Sequence, residues 1–259
     1  MQKAKFIILL VIALIALELA AYQNSFLNLV SPTELGAWES EISIAHRFRG
    51  KINEEPLDTF FGMDGGAGVG LFYRQAFIRR IEFKVGYIFD NKEYVADASW
   101  SFLPYEYPVQ AQADMQYFSF EKYDFDSNDL VRQNNLLLML SAQNKPLYNR
   151  IFFNANLGYD LEDERVVSGL GIGVLALPSL TVLGEYYPVW DRNSAPNSLN
   201  LGKHDSYALG LKLDTYGHHF MFSLSNSDAV NLRKLSTGSL DRDLRFGFNI
   251  QRHMNFLGR

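Results

Sequence analysis

A histidine and two serines form the first set of residues that could do chemistry in this sequence. His219, Ser223 and Ser225 stand at alternate positions, which places them on one face of an extended strand. A serine nucleophile also needs a positioned base and a group that stabilises an oxyanion. The sequence offers no residue that can be assigned to either role. We therefore expect a histidine that is hydrogen-bonded to a neighbour, and no catalytic residue.

Two further motifs look like ion-binding or phosphate-binding loops but lack the defining residues. Carboxylates alternate from Asp124, but Asp129 stands where a calcium loop needs glycine, and Asn135 stands where it needs glutamate. The glycine-rich run at 65–70 has no following Lys-Ser or Lys-Thr pair. Its alternate glycines, like those at 169–173, are expected to let a strand curve or to admit side chains from across a lumen. The sequence thus predicts no metal ion and no cofactor.

A third set consists of charged residues that alternate with apolar ones. Buried charges need partners, so in a narrow barrel these residues would pair across the lumen. In a wider barrel they would line a selective channel. Their mixed signs favour pairing, although the number of strands alone does not decide between the two. The lumen-facing candidates are Arg80, Glu82, Lys84, Asp97, Asp114, Glu185, Lys212, Asp214, Asp243 and Arg245.

The elements that would position these residues are strands, because the dominant period of the sequence is two. Ile81, Phe83 and Val85, for example, alternate with Glu82 and Lys84, as in a strand with one apolar face. After residue 37 the sequence shows no convincing helical period. The runs lie at about 38–48, 66–74, 80–90, 94–102, 109–117, 131–143, 151–160, 166–174, 179–189, 205–215, 218–226 and 243–251. They predict an all-β protein of about twelve strands.

Three features favour a closed antiparallel transmembrane β-barrel over a soluble β-sandwich or a lipocalin-like barrel. Several runs are about ten residues long, as a tilted membrane-crossing strand requires. Long connections, at about 49–65, 121–130, 190–204 and 227–241, alternate with short ones, as outer loops alternate with periplasmic turns. Aromatic residues lie near the ends of the apolar faces, where an interfacial girdle would be. These are Trp38, Phe48, Tyr87, Phe89, Tyr94, Phe102, Tyr117, Tyr159, Tyr186 and Tyr207.

The bulk composition excludes several classes of function. The chain has 259 residues, a formal net charge of −5 and no cysteine, and its sequence pI is about 5.6. This acidic balance gives no basic surface for nucleic acid, and the lack of cysteine rules out disulfides and thiolate sites. The mean hydropathy of −0.10 argues against a bundle of transmembrane helices.

The start of the chain has the features of an export signal. Lys3 and Lys5 precede an apolar run at 6–17, and small residues follow up to Ala21. An uncleaved anchor is the alternative, but the run is shorter than the roughly 18 residues of a spanning helix. We therefore predict a signal peptide at 1–21, an N-terminal periplasmic segment at 22–37 and a β-barrel domain at 38–259.

Several short strings resemble an uncharacterised family of bacterial outer-membrane β-barrels, known as a domain of unknown function. They are SPTE at 31–34, IAHRF at 44–48, FFGMD at 60–64, LGEYYPV at 183–189, GHHF at 217–220 and DLRFGFNI at 243–250. The resemblance implies a barrel in the cell envelope and no particular activity.

Two functions of different classes follow from such a barrel. The first is a porin-like passive channel for small polar solutes in the bacterial outer membrane, and the second is a non-conducting barrel that serves as a scaffold for other envelope proteins. An outer-membrane hydrolase is a distant third, and we predict that the protein is not an enzyme. The expected partners are outer-membrane lipid and other envelope proteins, with no nucleic acid.

Overall fold

The computed structural model describes residues 26–32, 35–103, 106–124, 128–190, 192 and 201–255. The predicted signal peptide, residues 1–21, lies outside the described residues. Twelve strands are found in the described ranges: β1 (Glu39–Phe48), β2 (Ala67–Ile78), β3 (Ile81–Ile88), β4 (Glu93–Leu103), β5 (Val109–Asp124), β6 (Asp129–Asn144), β7 (Ile151–Asp160), β8 (Arg165–Leu177), β9 (Leu180–Tyr187), β10 (Ser206–Thr215), β11 (His218–Ser225) and β12 (Arg245–Asn255).

Helical structure in the described ranges is limited to a 3₁₀ turn, Asp90–Lys92, and a short α-helix, α1 (Leu232–Leu235). No helix among these residues has both the length and the apolar character needed to cross a membrane.

The strands form a closed barrel in which each pairs antiparallel with its neighbours in sequence, and β1 pairs with β12. The closing register runs from Glu39 opposite Asn255 to Arg47 opposite Gly247. Closure gives every strand two neighbours, so the barrel has no edge strand in the described part of the chain, as a barrel in lipid requires. The prediction of a closed antiparallel barrel of about twelve strands is confirmed.

The two faces of the strands differ in polarity, because side chains alternate across each strand. Apolar side chains such as Phe83 and Leu157 point outward, and Leu157 is 58 % exposed. Polar side chains such as Lys212 point inward, and Lys212 is fully buried. The apolar exterior and polar interior are typical of a transmembrane barrel and opposite to a soluble sandwich.

Exposed aromatic side chains lie near both ends of the strands. Trp38 and Trp100 lie at the end where the short turns are, and Tyr94, Tyr117 and Tyr159 lie at the other end. We call these the short-turn end and the long-loop end. Two such bands of aromatic residues are characteristic of the two interfaces of a membrane.

The hairpin of β5 and β6 corrects one predicted loop. The expected long connection at 121–130 is mostly strand, because both strands have 16 residues and the connection is only 125–128. Their outer parts carry polar residues on both faces, so the period of two disappears from the sequence there although the backbone pairing continues. The three long connections at the long-loop end are therefore 49–66, 188–205 and 226–244.

The interior holds an apolar cluster as well as polar side chains. Phe26, Leu27 and Leu29 from the start of the chain, and Val230, Leu232 and Leu235 from the last long connection, are all buried in it. We call residues 26–32, with Leu35 and Gly36, the N-terminal plug, and residues 227–241 the inward loop. The N-terminal segment, 22–37, was expected in the periplasm; its residues 26–32 and Leu35 are buried or half-buried inside the barrel, and Ala37 is exposed.

Candidate functional site

The N-terminal plug is attached to the barrel wall through Glu185 of β9. The Oε1 atom of Glu185 accepts hydrogen bonds from the backbone N–H groups of Leu27 at 2.7 Å, Asn28 at 3.1 Å and Leu29 at 3.4 Å. Its Oε2 atom accepts from the Asn28 side chain at 3.1 Å and from the Tyr187 hydroxyl. Successive N–H groups that converge on one carboxylate form an anion-binding nest. Glu185 is therefore a structural anchor of the plug.

Amide side chains on other strands extend this attachment. Val30 donates its N–H to Asn156 at 2.8 Å and accepts from the amides of Asn154 at 3.0 Å and Asn156 at 2.8 Å. Asn249 of β12 donates to the carbonyl of Leu27 at 2.6 Å. Side chains of the wall thus pair with the N–H groups of residues 27–30 and with the carbonyls of Leu27 and Val30, which would otherwise be buried without partners.

Glycines on the inner face make room for the apolar side chains of the plug. A Cβ atom added at Gly171 would lie 2.4 Å from Phe26, one at Gly169 would lie 2.4 Å from Leu29, and one at Gly210 would lie 2.8 Å from Leu27. Such distances are shorter than any normal carbon contact. The alternate glycines of β8 admit inner side chains, as the sequence indicated, but at Gly169 and Gly171 these belong to the plug.

The inward loop covers the long-loop end of the lumen through α1. Asn231 caps this helix by accepting from the N–H of Lys234 at 2.8 Å. Its amide also donates to Glu93 of β4 at 2.8 Å. Lys234 forms an ion pair of 2.5 Å with the same carboxylate, whose side chain is fully buried. Breaking this pair would leave a buried charge without its counter-ion.

Arg233 holds the other side of the inward loop. Its guanidinium lies 3.2 Å from Asp163 and 3.7 Å from Asp160, and 4.5 Å from the ring centre of Phe120. Burial, and next the neighbouring Asp160, raise the pKa of the Asp163 carboxyl above its ordinary value. The loop is therefore held by charges in a partly dry environment, where removing one partner would leave the other buried without a counter-ion.

A cavity of about 180 Å³ remains between the plug and the wall formed by β1–β5. Residues 26–30 of the plug pack mainly against β7–β10 on the opposite side, while the N–H of Leu35 donates to Glu82 of β3 at 2.7 Å. Six charged residues line the cavity, four acidic and two basic: Glu41, Glu82, Asp97, Asp114, Arg74 and Lys84. The cavity wall therefore carries an excess of two negative charges when all six are ionised.

These charges are partly paired. Lys84 lies 2.8 Å from Asp97, and Arg74 lies 3.3 Å from Glu82 and 3.4 Å from Glu41. Asp114 accepts a hydrogen bond of 2.6 Å from the amide of Gln112. This pairing agrees with the internal ion pairs expected from the mixed charges of the sequence. Within the described ranges it leaves some of the carboxylate oxygens without a hydrogen-bond partner.

The predicted lumen residues fall into three groups. Glu82, Lys84, Asp97 and Asp114 line the cavity, and Glu185 anchors the plug. Lys212 and Asp214 form a separate buried ion pair of 3.4 Å at the short-turn end. His219 lies 2.6 Å from Asp214, so it has the hydrogen-bonded neighbour that was expected.

The remaining three candidates do not line the cavity. Arg80 is exposed in the turn between β2 and β3, with a φ of 76°, because the alternation was counted through a two-residue turn that reverses the chain. Asp243 precedes β12 and pairs with Lys51 at 2.9 Å on the loop side. Arg245 begins β12 at the long-loop end and binds Asp241 at 3.0 Å.

Several residues of the site were not among the sequence candidates. Glu41 and Arg74 lie on the polar faces of β1 and β2, and a complete count of inward charges would have included them. Glu93, Arg233 and Lys234 had no such signal, because they lie in or opposite a loop whose inward fold cannot be deduced from period two.

A sequence model of the family described as a membrane bound beta barrel domain (DUF5777) matches residues 23–254. The chain belongs to this family. The match confirms the resemblance drawn from the short strings, and it establishes a membrane-bound barrel. The matched range includes the described part of the plug.

Solved structures with a similar fold include bacterial porins. The KdgM porin covers 82% of this chain and 98% of its own, with a TM-score of 0.50 and 10% identity. The structure of KdgM in complex with disordered oligogalacturonate has a TM-score of 0.52 and 10% identity, with the same coverage of both chains. Omp33 of Acinetobacter baumannii covers 84% of this chain and 98% of its own, with a TM-score of 0.45 and 12% identity. At this identity the likeness to KdgM shows the fold alone. No curated protein sequence matches the chain significantly.

Proposed function

We propose that the protein is a porin-like channel of the bacterial outer membrane, exported by a cleaved signal peptide at 1–21. It is a narrow conduit for small polar solutes with a preference for cations. The observation that carries this proposal is the cavity beside the plug, which the polar wall of β1–β5 lines with charged side chains. If the interior had only a structural role, its charged side chains would be expected to balance as ion pairs, whereas this wall has more carboxylates than basic side chains.

The charge of the cavity wall determines the expected selectivity. Four carboxylates against two basic groups attract cations and repel anions in a confined space where the field is little screened. The similar KdgM porin was solved with oligogalacturonate, an acidic oligosaccharide. An excess of carboxylates disfavours a ligand of that charge here, so the solute class differs from the one in that complex.

The inward loop and the plug limit the flow through this conduit. The ion pair of Lys234 with Glu93 and the contacts of Arg233 with Asp163 keep the long-loop end covered. We therefore expect small unitary currents, with long closed intervals when the loop is in place.

Planar bilayers containing the purified protein test this proposal. Under a KCl gradient we expect a reversal potential whose sign shows that K⁺ is more permeant than Cl⁻. In Asp97→Asn this reversal potential should be smaller. The matched control is Asp58→Asn, which removes the same charge from an exposed position of the first long loop and should leave the potential unchanged. Absence of unitary current in both the wild type and a variant with a shortened inward loop would contradict the channel.

A non-conducting scaffold is the second candidate, because the plug and inward loop fill much of the lumen and the first long loop exposes apolar residues. Leu57 is 84 % exposed and Phe60 is 66 % exposed at its tip, which is unusual for a solvated loop. Envelope proteins that co-purify with the wild type and are lost from Leu57→Ser would favour this function, provided that no current is measured. Lipid of the outer membrane is the partner that both functions share.

A further inference from the structure

Two carboxylate oxygens in the cavity wall have no hydrogen-bond donor. Asp97 is 7 % exposed and Asp114 is 4 % exposed, and in each the second oxygen is bound, by Lys84 and by Gln112 respectively. Among the described residues, no group donates a hydrogen bond to Asp97 Oδ1 or to Asp114 Oδ2. A buried carboxylate oxygen without a donor is costly, so each of these two oxygens can accept a hydrogen bond from a ligand, and the excess of carboxylates in the cavity wall favours a cationic one.

The two carboxylates are close neighbours on adjacent strands. Asp97 of β4 is opposite Gln116 of β5, and Asp114 is opposite Ser99, so they form a diagonal pair with Cα atoms about 7–8 Å apart. Both line the same cavity. An ammonium group has three diverging donors and can serve two carboxylates at once.

The same cavity also has an apolar side. Phe72, Val95 and Phe118 line it together with the two carboxylates. Binding sites for small molecules combine an apolar lining with a few placed polar groups. A ligand that suits this wall therefore has one cationic end and one short hydrocarbon part.

We propose that the cavity binds a small alkylammonium ion, with its ammonium group between Asp97 and Asp114 and its alkyl part against Phe72, Val95 and Phe118. As a statement about transport, this inference rests on the proposed function, because it names the class of solute that the channel would carry. The binding itself requires no conduction.

Isothermal titration of the folded protein in detergent with n-butylammonium tests the site, with n-butanol and Mg²⁺ as comparisons. We expect saturable binding of n-butylammonium and none of n-butanol. Asp97→Asn and Asp114→Asn should each weaken binding by on the order of tenfold, the usual effect of losing one charge-assisted hydrogen bond. Asp58→Asn should bind as the wild type does.

A chain-length series on the wild type gives a test that needs no variant. Affinity should rise from methylammonium to a short alkyl chain and then fall, because the cavity volume is only about 180 Å³. A flat series, unchanged affinity in both asparagine variants, or binding of Mg²⁺ without n-butylammonium would each overturn the site.

The two proposals fail separately. Binding of n-butylammonium by a protein that carries no current would support this site and contradict the channel. Cation-selective current without n-butylammonium binding would support the channel and overturn this site. Heat-modifiable migration on gels confirms that each variant tested is a folded barrel.

Discussion

Replacing Glu185 by glutamine should loosen the N-terminal plug without unfolding the barrel. The carboxylate accepts two short hydrogen bonds from the plug backbone, at 2.7 Å and 3.1 Å. A hydrogen bond to a charged group contributes about 1.5–3 kcal/mol, and one to a neutral group about 0.5–1.5 kcal/mol. Glu185→Gln keeps an acceptor but loses the charge, so each short bond weakens by roughly 1 kcal/mol. The plug should therefore be less stable by about 2 kcal/mol, which corresponds to a roughly 30-fold larger opening equilibrium.

Hydrogen exchange followed by mass spectrometry measures this opening directly. When reclosing is fast, the exchange rate of an amide follows its opening equilibrium. Peptides that contain residues 26–31 should exchange roughly 30-fold faster in Glu185→Gln, while those from β5 and β6 should be unchanged and serve as the internal reference. Asp58→Asn is the control for loss of a carboxylate. Unchanged exchange at 26–31 would refute the anchoring role of Glu185, and faster exchange throughout would show a global effect instead.

Three further variants test the inward loop and the inner glycines. Lys234→Gln should release the inward loop, because it removes the counter-ion of the buried Glu93, and single-channel recordings should show longer open intervals than in the wild type. Gly171→Val should displace the plug, since even a Cβ there would lie 2.4 Å from a plug ring, whereas Gly184→Val faces outward with its nearest contact at 3.3 Å; only the former should speed hydrogen exchange at 26–31. Asp241→Asn should lower the free energy of unfolding near neutral pH, because hydrogen bonds from the Arg245 guanidinium hold the pKa of this carboxyl below its ordinary value. That stabilisation is present above the unfolded pKa and is lost as pH falls through the lower folded pKa, so the difference from the wild type in urea titrations should shrink in acid.

The barrel itself was predictable because the alternation of inward and outward side chains is a local property of each strand. Alternation in β3 and β4 assigns Lys84 and Asp97 to the interior, and the cross-strand register then places them opposite each other. The outward residues Phe83 and Val85 follow from the same alternation. A period of two is imposed by the backbone of every strand, so strands that cross the membrane reveal both faces in their sequence.

The contents of the lumen were not predictable, because they depend on contacts between distant segments. The plug is a short run with five apolar residues, and nothing in it indicates that Glu185, more than 150 positions later, accepts its N–H groups. The one available signal was the set of inward glycines at 169 and 171, since a strand face without side chains leaves a space that something else must fill. The misplacement of Arg80 had a local cause, a tight turn across which alternation cannot be counted.

Cysteine accessibility tests most directly whether solutes pass beside the plug along the wall of β1–β5. The protein has no cysteine, so a single introduced thiol reports its own position. Ser99 lines the cavity, whereas Ser141 is buried on the inner face of β6 at 1 % exposure. In planar bilayers, a cationic methanethiosulfonate should reduce the current of Ser99→Cys and leave that of Ser141→Cys unchanged. A reduced current in Ser141→Cys with no effect in Ser99→Cys would place the path elsewhere and contradict the account.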